Sequence, residues 1–374
     1  MARVYQLGND MTLKRVLHPL AMSATFNLFD MHSADMTLTD EEARDLPPHD
    51  IVQVTLPDGP ELFRVSALDR EAHGQTRVTL TQALDRMHDL VYQTNTTNFR
   101  QPVVTMLNDL VTAGTATLYY VRYTRGLGNK YFRRDELRYE NRLDLFNELR
   151  KDLSEHYFIF EPSLTTSGMI QRIYVDVVPL PTGNEAEFRL SRNIEKCSWS
   201  IDDTDMCNRL HMLVQRSSAS GSMPHFQFED TASQALYGVI EQGVQVAEAD
   251  LGAYTAANRQ KWADNYFAKH SKPRLTVKVD GYQLHTLTGL DWDRASVGKM
   301  VRVALPDIGE TFIERCMSVE YPNVIDQPER VTVTLGDTED RISEELAFTA
   351  ARTGTNGSNQ LLMHRSGKIV EEEE

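Results

Sequence analysis

Three groups of residues have the types and spacing to carry chemistry. Cys207 and His211 stand four apart, with Cys197 nearby. Thiolate and imidazole are zinc ligands, but a closed zinc site needs four of them. The bland reading of this trio is small core residues on strands. Asp202, Asp203 and Asp205 could hold a cation or act as paired carboxylates. A turn between strands also favours Asp, whose carboxylate bonds its own backbone, and the turn is the preferred reading. Residues 115–134 contain Arg122, Arg125, Lys130, Arg133 and Arg134 and no acid. These cations interleave with Tyr119, Tyr120, Tyr123, Tyr131 and Phe132, on a hairpin predicted around Gly126–Asn129. The pattern suits docking onto an acidic partner, or contact with nucleic acid. A solvated hairpin with one wet face would look the same. No HExxH, GxSxG, Walker or GxGxxG motif is present, so neither an enzyme nor a cofactor is expected, and no residue is assigned to catalysis, cofactor or metal.

The bulk composition narrows the class further. The 374 residues carry 39 Lys and Arg against 54 Asp and Glu, a formal net charge of −15. That balance argues against a protein built to grip phosphates. With 41% hydrophobic and 25% charged residues, the composition is that of a globular protein. No run of about 18 apolar residues occurs, so no membrane span is expected. The first residues lack an apolar h-region, so no signal peptide is expected. Three cysteines fit a reducing compartment.

The elements that must position these residues are mostly strands, and they repeat. VQVTLPD (52–58) matches VRVALPD (301–307) at five of seven positions. The match lays Val52, Val54 and Pro57 on Val301, Val303 and Pro306. Alternation of period two with Pro, Asp and Gly punctuation reads as half-buried antiparallel strands. Each copy continues through a second strand and a long turn to a closing RVTL (77–80) or RVTVTL (330–335), then to Asp85-Arg86 or Asp340-Arg341. The predicted fold class is α+β, mainly β: two similar small antiparallel β-barrel modules with an inserted α/β domain and a long helix. The predicted domains are 1–97 (first barrel), 98–190 (insertion), 191–270 (returning strands and the long helix), 271–346 (second barrel) and 347–374 (a flexible acidic tail). Helical steps are read at Leu84, Met87 and Val91, and again from Val103 with Asn98 as a possible cap. An amphipathic helix is read over 141–153 with Asn141 as cap, and a long one over roughly 246–270.

Four stretches carry a resemblance when taken in this order: the first β copy running into DRMHDLVY (85–92); NRLDLFNELRKDL (141–153) with the strands that follow; RNIEKCSWSIDDTDMCNRLHML (192–213); and AANRQKWADNYFAKHSKPRLTVKVDGYQLHTLTG (256–289) with VGKMVRVALPDIG and RVTVTLGD. Together they resemble the baseplate hub or tail-tip proteins of tailed bacteriophages, the family that includes tail-associated lysins. The resemblance implies a homotrimeric hub that closes the end of a tail tube in the virion, after assembly in the host cytoplasm. It implies as partners other copies of the chain, the tail tube or distal tail protein, the tape-measure C-terminus and a central spike or fibre. DNA would pass through an acidic channel without specific binding. Two modules per protomer, tripled by a threefold axis, would adapt a sixfold tube to a threefold spike. Relatives with a peptidase or lysozyme domain carry it after the equivalent of residue 350, where about 25 residues remain here, too few for such a domain. A tail-associated cell-wall hydrolase is the alternative.

Overall fold

The computed structural model describes residues 3–8, 10–56, 59–71, 74–115, 118–153, 155–190, 192–215, 223–251, 254–336 and 368–371. The chain divides into two compact units, Met1–Ser198 with Val277–Glu374, and Trp199–Thr276.

The first unit opens with seven strands: β1 (Val4–Leu7), β2 (Leu13–Leu17), β3 (Ala21–Asn27), β4 (Ser33–Thr39), β5 (Ile51–Leu56), β6 (Gly59–Glu71) and β7 (Gln75–Gln82). They lie side by side as β3-β4-β7-β6-β5-β1-β2, every pair antiparallel. Alternation decides which face is buried: Ala34, Met36 and Leu38 of β4 and Val78 and Leu80 of β7 turn inward, their neighbours outward.

Five strands follow: β8 (Val91–Pro102), β9 (Tyr119–Thr124), β10 (Lys130–Asn141), β11 (His156–Leu164) and β12 (Ile170–Pro179). β8 pairs antiparallel with β10, while β12 pairs antiparallel with β11 and parallel with β9. The helix Arg142–Asp152 starts where the sequence places it. The Asn141 side chain accepts from the backbone N–H groups of Leu143 and Asp144, and Leu145, Phe146 and Leu149 are buried. These residues share one core with Leu7, Ile51 and Leu62 of the first strands. The reading of Asn98 as a helix cap is corrected. Asn98 lies inside β8 with φ 54°, and the helix begins at Val103, after Pro102. The polar run Thr94–Asn98 has no apolar step to hold a helix face, and it follows the pleat instead.

Two more strands follow, β13 (Asn184–Arg189) and β14 (Ile194–Asp202), and the last residues of β14 belong to the second unit. That unit holds β15 (Arg209–Gln215), β16 (His225–Glu229) and β17 (Glu241–Ala247), ordered β16-β15-β17. Leu210, Met212, Val214, Val244 and Val246 bury their side chains with Ala263 and Phe267 of the helix Ala256–His270. This helix is shorter than the predicted 246–270. Val244 and Val246 alternate as a strand, and Thr255 supplies the cap by accepting from Asn258 N–H.

The chain then forms β18 (Arg274–Tyr282), β19 (Met300–Leu305), β20 (Glu310–Tyr321) and β21 (Arg330–Gly336). With β13 and β14 they are ordered β14-β18-β21-β20-β19-β13. This matches β3-β4-β7-β6-β5-β1 strand for strand, and corresponding strands follow one another in the same chain order. The direction is not matched throughout: β1 meets β5 antiparallel, whereas β13 meets β19 parallel. The expectation of two closed barrels is not met. Among the described residues no sheet closes on itself, because β3 hydrogen-bonds β20 of the other module through Ser318↔Asn27 to Tyr321↔Ala24. That pairing makes both modules one open thirteen-stranded sheet. The expected flexible tail lies mostly outside the described residues. Its described part, β22 (Lys368–Glu371), pairs antiparallel with β10.

Candidate assembly interface

The basic stretch is not a hairpin. β9 joins β12 in one sheet and β10 joins β8 in another, so the turn at Gly126, φ 77°, passes the chain between two sheets. Its cations are dispersed accordingly. On β9, Arg122 bonds Asp176 through Nε at 3.0 Å, contacts Glu161, and lies 4.9 Å over the Tyr174 ring. The two carboxylates hold its guanidinium pKa above the ordinary value. Arg134 on β10 is buried, paired with Glu140 and 3.5 Å from Glu148. Arg133 is half-buried, and it and Lys130 stand opposite Lys368 and Glu371 in the β10–β22 ladder. Arg125 is exposed, with no ion-pair partner among the described residues. The five cations therefore form no single bare surface. Phosphate binding at Arg122 would have to displace two carboxylates, which weakens the nucleic-acid reading.

The other candidates also separate. Cys207 is buried with its thiol toward the Arg209 carbonyl, and burial pushes its pKa up to about 11. His211 turns instead to His225, Nδ1 to Nε2 at 3.0 Å with the rings stacked, and to Glu241 at 3.6 Å. Burial also raises the Cys197 and Cys316 thiols, so none of the three is poised as a thiolate nucleophile. Among the described residues no three His, Cys, Asp or Glu converge on a metal position. Asp202 accepts from Thr204 N–H at 2.9 Å and its hydroxyl at 2.6 Å, a local turn, while Asp205 pairs with Arg274 at 2.7 Å.

The repeat valines face the core. Val52 and Val54 on β5 and Val301 and Val303 on β19 are all fully buried. Pro306 is exposed in the turn after β19, and Pro57 lies outside the described residues. Asp340-Arg341 does too. Two features escape a sequence reading. Arg64 is 4% exposed and gathers Asp85 at 3.0 Å, Asp89 at 2.5 Å and His49. Only its place opposite Ile51 in the strand pair reveals it. The strand β22 hides in KIVEEEE, which reads as a charged tail. Its signal is the short apolar pair Ile369-Val370.

No family model matches the chain, and no curated protein matches it. Solved structures do. The prophage tail protein gp18 from Listeria monocytogenes EGD-e aligns with TM-score 0.59 and 12% identity, covering 93% of this chain and 98% of its own. A tail protein from Neisseria meningitidis MC58 aligns with TM-score 0.60 and 14% identity, over 90% and 96%. The 43 kDa tail protein of prophage MuSo2 from Shewanella oneidensis aligns with TM-score 0.58 and 11% identity, over 91% and 98%. At these identities the likeness is one of fold, and over nine-tenths or more of its length the fold of this chain is that of phage tail proteins.

Proposed function

We propose that the chain is a structural subunit of a phage tail or baseplate, the hub at the end of the tail tube. The observation that carries this reading is the fold likeness, which spans nine-tenths or more of this chain and nearly all of each tail protein. The duplicated strand order supports the finer part. Three copies about a threefold axis would set six similar modules in a ring, because cyclic symmetry multiplies whatever the protomer contains. Closure of each module was part of the expected adaptor. Without it, the adaptor rests on strand order alone. The sixfold side would meet the tail tube or distal tail protein and the tape-measure C-terminus, and the threefold side a spike or fibre. DNA would pass through the ring without specific binding. An excess of acid, net charge −15, fits a wall that repels it at close range. The basic residues of β9 and β10, with most of their charge already paired, suit docking to a neighbouring protein. The virion tail is the corresponding location, with assembly in the host cytoplasm.

Light scattering of the purified protein, alone and with a tail-tube protein, tests the reading. A trimer in either sample is the expected result. A stable monomer in both overturns it.

A further inference from the structure

The two modules also differ along the far halves of β6 and β20. In β20 the near half, Glu310–Arg315, pairs with β19. Its far half, Ser318–Tyr321, pairs with β3 on that same side while Cys316–Glu320 pair with β21 on the other. β6 is built the same way up to this point. Its near half, Gly59–Arg64, pairs with β5, and its far half pairs with β7 as far as Glu71. Both strands carry a bulge at the same place: Val65/Ala67 against β7, Cys316/Ser318 against β21. Beyond the bulge the likeness ends. Among the described residues, no strand lies along Ser66–Arg70 on the β5 side. Burial follows: Cys316, Met317, Val319 and Tyr321 are buried, whereas Ser66, Ala67, Asp69 and Arg70 are exposed and Leu68 half-exposed.

The strand that fills this position in the second module is β3. Its counterpart by sheet order is β14, which stands last in the sheet with β18 as its neighbour. Among the described residues, one module thus has an empty strand position, and the other has the strand type that fills it at the end of its sheet. Long unpaired edges are otherwise blunted, because open N–H and C=O groups invite another strand. We propose that the far half of β6, Ser66–Arg70, hydrogen-bonds the β14 edge of a second copy of this chain, repeating between copies the β20–β3 junction found within one. This inference rests on the ring reading above and names the contact that would close it. The interface is heterologous, strand β6 of one copy to strand β14 of the next, and such an interface gives a ring if the rotation closes. In-chain and between-chain junctions would then alternate around it.

Cys197 lies on β14 and supplies a native probe. Cys207 and Cys316 are buried. Cysteine is introduced singly at Ala67, Leu68, Asp69 and Arg70, and each purified variant is oxidised with copper-phenanthroline and run on a non-reducing gel. Facing residues of paired strands have Cα atoms about 4.5–5.5 Å apart, within disulfide range. The expected result is a between-chain disulfide at the position in register with Cys197, absent once Cys197→Ser is added. Hydrogen exchange on the unaltered protein gives a second readout: amides in 66–70 gain protection on assembly. An oligomer by light scattering that shows neither cross-link nor protection overturns the pairing and leaves the ring reading intact. A monomer under every condition overturns both.

Discussion

The strand triplets β5-β6-β7 and β19-β20-β21 have the same order, the same bulge and the same buried valines, yet they spend a matched arginine differently. Arg64 stands opposite Ile51, and Arg315 opposite Met300, each one residue before its bulge. Arg64 is held by the carboxylates of Asp85 and Asp89, from the turn that leads into the inserted segment. Arg315 donates to main-chain carbonyls, Gly298 at 2.7 Å and Pro181 at 3.0 Å. The shared part is what the pleat and the bulge require. The unshared part follows from what each module must hold in place, an inserted segment in one and the chain entering β13 in the other.

That comparison can be broken most directly in the shared core. Leu80 and Leu335 are fully buried on β7 and β21, opposite Val65 and Cys316. Leu80→Ala and Leu335→Ala are each expected to cost about 2–5 kcal/mol, the range for a large-to-small change in a packed core. Guanidinium unfolding checks this, and widely different losses would show that the two triplets do not carry equal weight. The arginines come next. Arg64→Ala removes hydrogen bonds to two carboxylates that are partly open to solvent, together with the packing of a buried guanidinium, and is expected to cost about 2–3 kcal/mol. Arg315→Ala loses hydrogen bonds from a charged group to carbonyls and is expected to cost about 1.5–2 kcal/mol. The same unfolding measurement, with a reversed ranking, would refute the account of their different roles.

The smallest effect is the sharpest test of equivalence. Cys316 occupies the place that Val65 occupies in the first module, so Cys316→Val is expected to change stability by less than about 1.5 kcal/mol. It also removes a pH dependence. Burial raises the Cys316 thiol above its ordinary value of 9.0, so the folded protein keeps a proton that the unfolded chain releases. The stability this thiol contributes is complete below pH 9 and is lost as pH rises beyond it. Unfolding midpoints from pH 8 to pH 10 should fall less steeply for the valine variant. Equal slopes would mean that Cys316 opens to solvent.

Much of this architecture was legible before any coordinates, for local reasons. VQVTLPD and VRVALPD alternate, so both strands follow from period two, and β19 buries alternate residues as expected, whereas β5 is buried on both faces, Gln53 included. Asn141, followed by apolar residues at helical steps, marks its own helix. What could not be read was non-local. Nothing near Tyr119–Thr124 says that it pairs in parallel with residues some fifty positions on rather than with its sequence neighbour β10. The predicted hairpin failed for that reason, and with it the picture of five cations on one face. Barrel closure failed likewise, since the partner of the far half of β20 lies almost three hundred residues away in β3.

The β20–β3 junction also has a mechanical meaning. Two modules joined by a linker would swing, and a pull on one would reach the other only after the slack was taken up. Here four consecutive residue pairs, Ser318↔Asn27 to Tyr321↔Ala24, splice the modules through the backbone itself, with Val319 and Tyr321 buried behind the splice. Tension along β20 loads these bonds side by side, in shear, so they must yield together rather than peel one at a time. The splice therefore opposes hinging between the two modules, and a load applied at one is carried to the other through backbone hydrogen bonds.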